Sequence, residues 1–179
     1  SFCVHYSYDT QRSILRDIVA SLYRQGQRRL LIINGHGGNN FKNMMRDLTL
    51  EYPDFIIATS EWFKMTDAHP FFSHVGDHAD ELETSVMMHY HPELVNLSEA
   101  GQGDSRGFGI KALSEGKVWI PRNWAKVSRD TGIGSPAKAT AEKGARFAAT
   151  VVEKYVEFLA DFARVETIDD LYEPQFHNE

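Results

Sequence analysis

Leu30-Leu31-Ile32-Ile33-Asn34-Gly35-His36-Gly37-Gly38-Asn39-Asn40 is the stretch that decides the fold. Four consecutive apolar residues read as a short strand covered on both faces, the pattern of a parallel sheet. The Gly-rich run that follows turns the chain at the strand's carboxyl end, the edge where open α/β sheets bind ligands. Upstream, Asp9 or Thr10 is expected to cap a helix whose apolar positions Ile14, Leu15, Ile18, Val19 and Leu22 recur at helical spacing. Gly26 can end it in the left-handed conformation. Downstream, a second helix is predicted from about Phe41 to Glu51, with Met44, Met45 and Leu48 inward. Pro53 breaks it, and Phe55-Ile56-Ile57-Ala58-Thr59 is the next strand. Strand, helix and strand make a β-α-β unit with a right-handed crossover. The expected class is therefore α/β, a mainly parallel central sheet flanked by helices on both faces.

The rest of the chain is less regular. Residues 64–76 read as loop, and Asp77 or His78 opens a helix to about His89 that Pro92 stops. Residues 98–135 are rich in Gly and Ser, with a small strand expected at 117–120. Ser135-Pro136 is a helix start, because proline is pre-organised for a first turn. The last helix should run over 137–163 on a core stripe of Phe147, Val151, Val152, Tyr155, Phe158, Leu159 and Phe162. At 179 residues the expectation is a single domain, with 166–179 as a polar, acidic tail.

Composition narrows the function classes. Apolar residues make up 42% and charged residues 25%, which suffices for a real core. Nineteen basic against 25 acidic residues give a net charge of −6, which argues against a general nucleic-acid binder. No apolar run approaches the ~20 residues that span a bilayer, so no membrane partner is expected. No charged-then-apolar leader opens the chain. The single cysteine, Cys3, excludes an internal disulfide framework, and a reducing, cytoplasmic location is expected.

Two motifs carry candidate chemistry. Glycines around His36 allow close backbone approach and positive φ, and an imidazole held there can bind a metal or move a proton. A tight turn with an incidental histidine is the plain alternative. A phosphate-cradling loop is a weaker one, since neither G-x-x-x-x-G-K-[ST] nor G-x-G-x-x-G is present. The second motif is Gly76-Asp77-His78-Ala79-Asp80-Glu81-Leu82-Glu83-Thr84-Ser85. On a helix, Ala79, Glu83, Val86, Met87 and Tyr90 share a face that is apolar except for Glu83. A carboxylate on a buried face is costly unless paired or metal-bound, which singles out Glu83; a salt bridge to an arginine at the core edge is the alternative. Asp77, Asp80 and Glu81 fall in the first turn, where capping explains them as well as function does. His5, His69, His74, His89, His91 and His177 carry weaker signals. Trp62, Trp119 and Trp124 suit either a core or a pocket wall.

Taken together, Asn34-Gly35-His36-Gly37-Gly38-Asn39, His78-Ala79-Asp80-Glu81-Leu82-Glu83-Thr84-Ser85 and Thr131-Gly132-Ile133-Gly134-Ser135-Pro136, with Ala139-Thr140 and Glu142-Lys143-Gly144 after them, resemble the creatininase (creatinine amidohydrolase) family. The resemblance implies metal-dependent hydrolysis of a carbon–nitrogen bond, often with two divalent ions sharing a bridging water, and ring-like homo-oligomers. It implies that His36 is a metal ligand, that His78 passes protons near the scissile bond, and that Glu83 is a metal ligand or its close partner. Gly37, Gly38, Asn39 and Trp124 are the candidate substrate-binding residues. The sequence departs from the family pattern at Asp80, where glycine is usual, and at Gly38, where some members carry a metal-binding acid. The family's first segment, with a Glu-x-His pair and a bridging Asp, has no match, so an N-terminally incomplete site is expected.

The expected activity is hydrolysis of an amide, cyclic amide or formamide on a small molecule, with Zn, Mn or Fe as the divalent ion. A non-catalytic small-ligand binding module and an assembly subunit of the same fold are the rival readings.

Overall fold

The computed structural model describes residues 4–173. Cys3 and His177 lie outside them. The chain divides into two compact units, one made by residues 66–153 and the other by the preceding segment together with residues from 154 onward.

The second of these contains the β-α-β unit. Helix α1 spans Tyr8–Arg24, strand β1 Arg29–Asn34, helix α2 Lys42–Glu51 and strand β2 Ile56–Glu61. The strands pair in parallel, Leu30 opposite Ile57 and Ile32 opposite Thr59. Side chains alternate across a strand, so each sheet face has its own core. On one face Leu30, Ile32 and Ile57 pack against buried Leu15 and Val19 of α1, Met44 and Leu48 of α2, and Phe55. On the other, Leu31, Ala58 and Ile56 meet Phe162 and Val165. The expected α/β class, with helices on both faces of a parallel sheet, holds in this unit. Burying each of the larger side chains contributes ~1.5–3 kcal/mol.

Two details depart from the pattern and one follows it. The cap of α1 is Ser7, whose Oγ accepts from the Thr10 N–H at 3.4 Å, rather than Asp9 or Thr10. Gly26 does take the left-handed conformation, at φ +83°. Ile14 and Ile18 are exposed although they lie on the apolar stripe, because the stripe is wider than the face that α2 and β1 cover.

The unit of residues 66–153 is built mainly from loops. Its elements are α3 (Glu81–Tyr90), α4 (Lys111–Ser114), α5 (Trp124–Val127) and the first part of α6 (Ala141–Phe162), with single turns of 3-10 helix at Pro92–Leu94 and Leu97–Glu99. The strand expected at 117–120 does not form: Trp119 is 81% exposed and no neighbouring strand pairs with it. Helix α6 starts four residues later than read, because Pro136 initiates a separate turn that ends in Ala139 N–H bonding to Pro136 O at 2.8 Å. Along α6, Phe147, Val151 and Phe162 are buried while Val152 and Leu159 are not. Among the described residues no helix is long and apolar enough to cross a membrane.

Candidate functional site

The Gly-rich loop stands at the carboxyl end of β1 and is organised by Asn34, the last strand residue, which is 4% exposed. Its Oδ1 accepts the His36 N–H at 3.2 Å and an Nδ2–H of Asn39 at 3.1 Å. Gly38 N–H donates to His36 Nδ1 at 3.0 Å. A Cβ on Gly38 would sit 3.0 Å from that nitrogen, so the bare glycine lets the imidazole fold over the turn. The expected positive φ is absent: none of Gly35, Gly37 or Gly38 adopts it. A Cβ on Gly37 would come within 3.4 Å of Phe63 Cζ. The Trp62 indole N–H braces the loop from outside, reaching Gly35 O at 3.4 Å. Asn34 and Trp62 are thus the organisers of the loop, a role the sequence reading gave to neither; a polar residue closing an apolar strand was the available signal for Asn34.

The second motif lies in the unit of residues 66–153, and its helix starts later than expected. Helix α3 begins at Glu81, with Asp80 as N-cap. Asp80 is buried, with Oδ1 accepting Glu83 N–H at 2.9 Å and Oδ2 accepting Gly76 N–H at 2.6 Å. An aspartate where the family usually has glycine is thereby explained as a cap. Glu83 returns the bond one residue further out, its Oε2 accepting Ala79 N–H at 2.6 Å. This is a variant of the reciprocal capping box. Ala79 takes φ +50°, outside the helix.

Glu83 is therefore not a carboxylate on a buried face. Its side chain is 33% exposed, and Met87 and Tyr90 on the same face are exposed too. The fully buried acid among the described residues is Glu81, with no exposed side-chain surface, beside Leu82 and Ser85. Its Oε1 takes Lys143 Nζ at 2.5 Å, and its Oε2 takes the Ser73 and His74 N–H groups at 3.0 and 2.9 Å. Burial opposes ionisation, but Lys143 and the two backbone donors outweigh it and hold this carboxyl below the usual carboxylate range.

His78 lies in a short antiparallel bridge to Ile133, which brings the third motif alongside. His78 N–H bonds to Ile133 O at 3.1 Å, and Ile133 N–H to His78 O at 2.8 Å. Gly76 and Gly134 touch there: a Cβ on Gly134, at φ +106°, would lie 2.7 Å from Gly76 Cα. The imidazole Nδ1 is 3.8 Å from Glu83 Oε2. Its ring packs on Trp124, with centroids 5.1 Å apart. The Arg122 guanidinium lies 5.0 Å from the same indole and pairs with Asp77. Asp77 serves this ion pair and not, as read, the helix start. A cavity of about 450 Å³ opens beside Glu83 and Ala79, walled by Met87, Leu97, Thr131 and Pro136.

So three of the expected residues, His78, Glu83 and Trp124, come together in one unit. His36, Gly37, Gly38 and Asn39 form a compact turn in the other. His36 and Glu83 are ligand types that suit a Zn or Mn ion. They fit in kind and are incomplete in number: among the described residues no three His, Cys, Asp or Glu side chains converge as a metal site would require. His36 Nδ1 also receives Gly38 N–H, so ligation through Nε2 requires that bond to open and the proton to move to Nδ1.

A parallel β-α-β core with a histidine turn at its strand end defines an α/β protein, and a His–Glu pair stands separately at a helix start. The chain belongs to the creatininase family, whose model, described as creatinine amidohydrolase, matches residues 1–159. A crystal structure of a Bacteroides fragilis protein provisionally described as a creatinine amidohydrolase is 54% identical, with a TM-score of 0.89 over 96% of this chain and 67% of that one. A creatininase variant in a Zn–Zn form shares the fold at 22% identity and a TM-score of 0.70, over 90% of this chain and 67% of that one. The mycofactocin precursor peptide peptidase of Mycobacterium ulcerans is 32% identical over 137 residues, 74% of this chain and 48% of its own length. The chain thus spans about half the length of this curated relative.

Proposed function

We propose that the protein is a metal-dependent amidohydrolase that cleaves the carbon–nitrogen bond of an amide, cyclic amide or formamide. The observation that carries this reading is the His78–Glu83 pair, 3.8 Å apart and fixed at the start of α3, in a chain of the creatininase family. The Zn–Zn form of the related creatininase supports a divalent ion as the cofactor. Such an ion, when bound, supplies Lewis acidity that lowers the pKa of a water to about 7 and polarises a carbonyl.

The chain's own residues take the remaining roles. Amide nitrogen is a poor leaving group until protonated, so a positioned acid is required as the bond breaks. His78 delivers that proton. Its Nδ1 faces Glu83, which stabilises the imidazolium that forms when His78 collects a proton from the attacking water. Trp124 limits the ring's movement through a tilted ring contact and offers an apolar wall to the substrate. The family resemblance assigns metal binding to His36 and to Glu83, and substrate contacts to Gly37, Gly38 and Asn39. A peptide amide is a further candidate substrate, supported by the peptidase relative. Self-association is part of the same reading, supported by exposed apolar side chains such as Trp119, Val152 and Val156.

The test is removal and return of metal. Full-length protein treated with a chelator should lose hydrolysis of its best substrate among creatinine, formamides and dipeptide amides. Zn or Mn should restore it. Activity that survives complete metal removal refutes the metal-dependent reading.

A further inference from the structure

We propose that Glu81 is a positioning residue, and that its buried carboxylate fixes the backbone segment that carries His78. The inference rests on the reading of His78 as the proton carrier.

Glu81 is a fully buried charge that the proposed chemistry leaves unused. A buried ion pair contributes little net stability compared with well-packed apolar residues, so stability alone does not account for it. A carboxylate can do here what a hydrophobe cannot, which is to accept three donors at once. One oxygen holds Lys143 Nζ, which also bonds to Lys138 O at 2.8 Å and so ties the start of α6 to the pair. The other oxygen takes the N–H groups of Ser73 and His74. From there the segment is anchored almost continuously: Gly76 N–H on Asp80, Asp77 and His78 N–H on Ile133 O, and Ala79 N–H on Glu83. Glu81 thus fixes the upstream end of a short span whose downstream end the helix cap fixes. Between these anchors His78 has one place, against Trp124 and within 3.8 Å of Glu83. Were the upstream end released, the bonds at Gly76, Asp77 and His78 would hold the segment alone and would open more often, letting the His78 ring leave Trp124 and Glu83.

Glu81→Gln in the full-length protein tests this. The amide keeps the shape, but turning its oxygen to the two N–H groups sets its NH₂ against the Lys143 ammonium. Amide exchange at Ser73 and His74 should rise by ~10–100-fold, the cost of weakening part-buried bonds to a charged acceptor. In the folded protein the His78 ring and Trp124 indole N–H signals should shift by NMR. Leu48→Ala, which opens a cavity in the sheet core, should lower the melting temperature and leave both signals in place. Lys143→Arg, which keeps the charge, should retain the parent pattern. The proposal is overturned if Glu81→Gln melts earlier yet leaves these signals and the 73–79 exchange unchanged. Should Glu81→Gln not fold, Lys143→Met decides: loosened exchange with shifted signals supports the proposal, and parent-like behaviour overturns it. None of these readouts uses turnover, so the outcome stands whichever way amide hydrolysis itself is settled.

Discussion

Gly144→Ala is a small change with a calculable result. Gly144 lies in the first turn of α6, where it passes the backbone of α3. A Cβ there would sit 2.0 Å from Ser85 O, 2.4 Å from Ser85 C and 2.8 Å from Val86 N. These are backbone atoms, so no side chain can rotate away, and relief requires the two helices to separate. In isolation alanine favours a helix over glycine by ~1 kcal/mol. Overpacking of a tight contact costs ~1–3 kcal/mol, and more where backbone must move. The separation also strains Ser85 Oγ, which accepts Thr140 N–H at 3.1 Å and donates to Glu81 O at 2.5 Å. The clash should win, with a net loss of ~1–3 kcal/mol and a fall of roughly 1 M in the urea midpoint. Gly107→Ala is the control, since nothing lies within 4 Å of a Cβ at that position. It should stay within ~0.5 kcal/mol of the parent. If Gly144→Ala is as stable as the parent, helix propensity governs the site and the close approach of α3 and α6 is not what requires the glycine.

Two further outcomes follow from single side chains. Asp80→Ala removes the cap of α3 and leaves Gly76 N–H without its acceptor, and should cost ~2–4 kcal/mol in denaturant unfolding. Asp54 titrates below the ordinary aspartate range because the Tyr23 hydroxyl donates to it, with Arg28 beside it. A carboxyl lowered on folding adds stability above the unfolded-state pKa, and that stability is lost as pH falls through the folded value. Asp54→Asn should therefore flatten the fall in melting temperature below about pH 4, where unfolded aspartate titrates; an unchanged acid limb contradicts the assignment.

The β-α-β core was legible because its signals agree: apolar runs of strand length, a helical period between them and punctuation by Gly26 and Pro53. The site was legible only in outline. Periodicity singled out one stripe on α3, with Glu83, Met87 and Tyr90, whereas a second, with Glu81, Leu82 and Ser85, shows only in the structure. The first is the more hydrophobic, yet the second is buried, because Lys143 lies 62 positions further on and no local pattern announces it. The late start of α3 has a similar cause. Asp77 and His78 have the composition of a first turn, but the pairing of His78 with Ile133 holds them extended. Trp124 could not be told from a core residue by spacing, since what places it is the ring of His78 and the guanidinium of Arg122.

The central claim divides two roles between adjacent side chains, and one paired measurement tests it: bound metal and turnover of the full-length protein carrying His78→Ala or Glu83→Gln. The glutamine keeps an oxygen that can still accept Ala79 N–H, so loss of metal would not merely report loss of the helix start. The account predicts that His78→Ala retains its metal and loses ~10²–10⁴-fold in turnover, the usual contribution of a positioned acid–base group. Glu83→Gln should lose metal and turnover together. Metal lost from His78→Ala and kept by Glu83→Gln would reverse the two roles, and full activity in both variants would contradict the account.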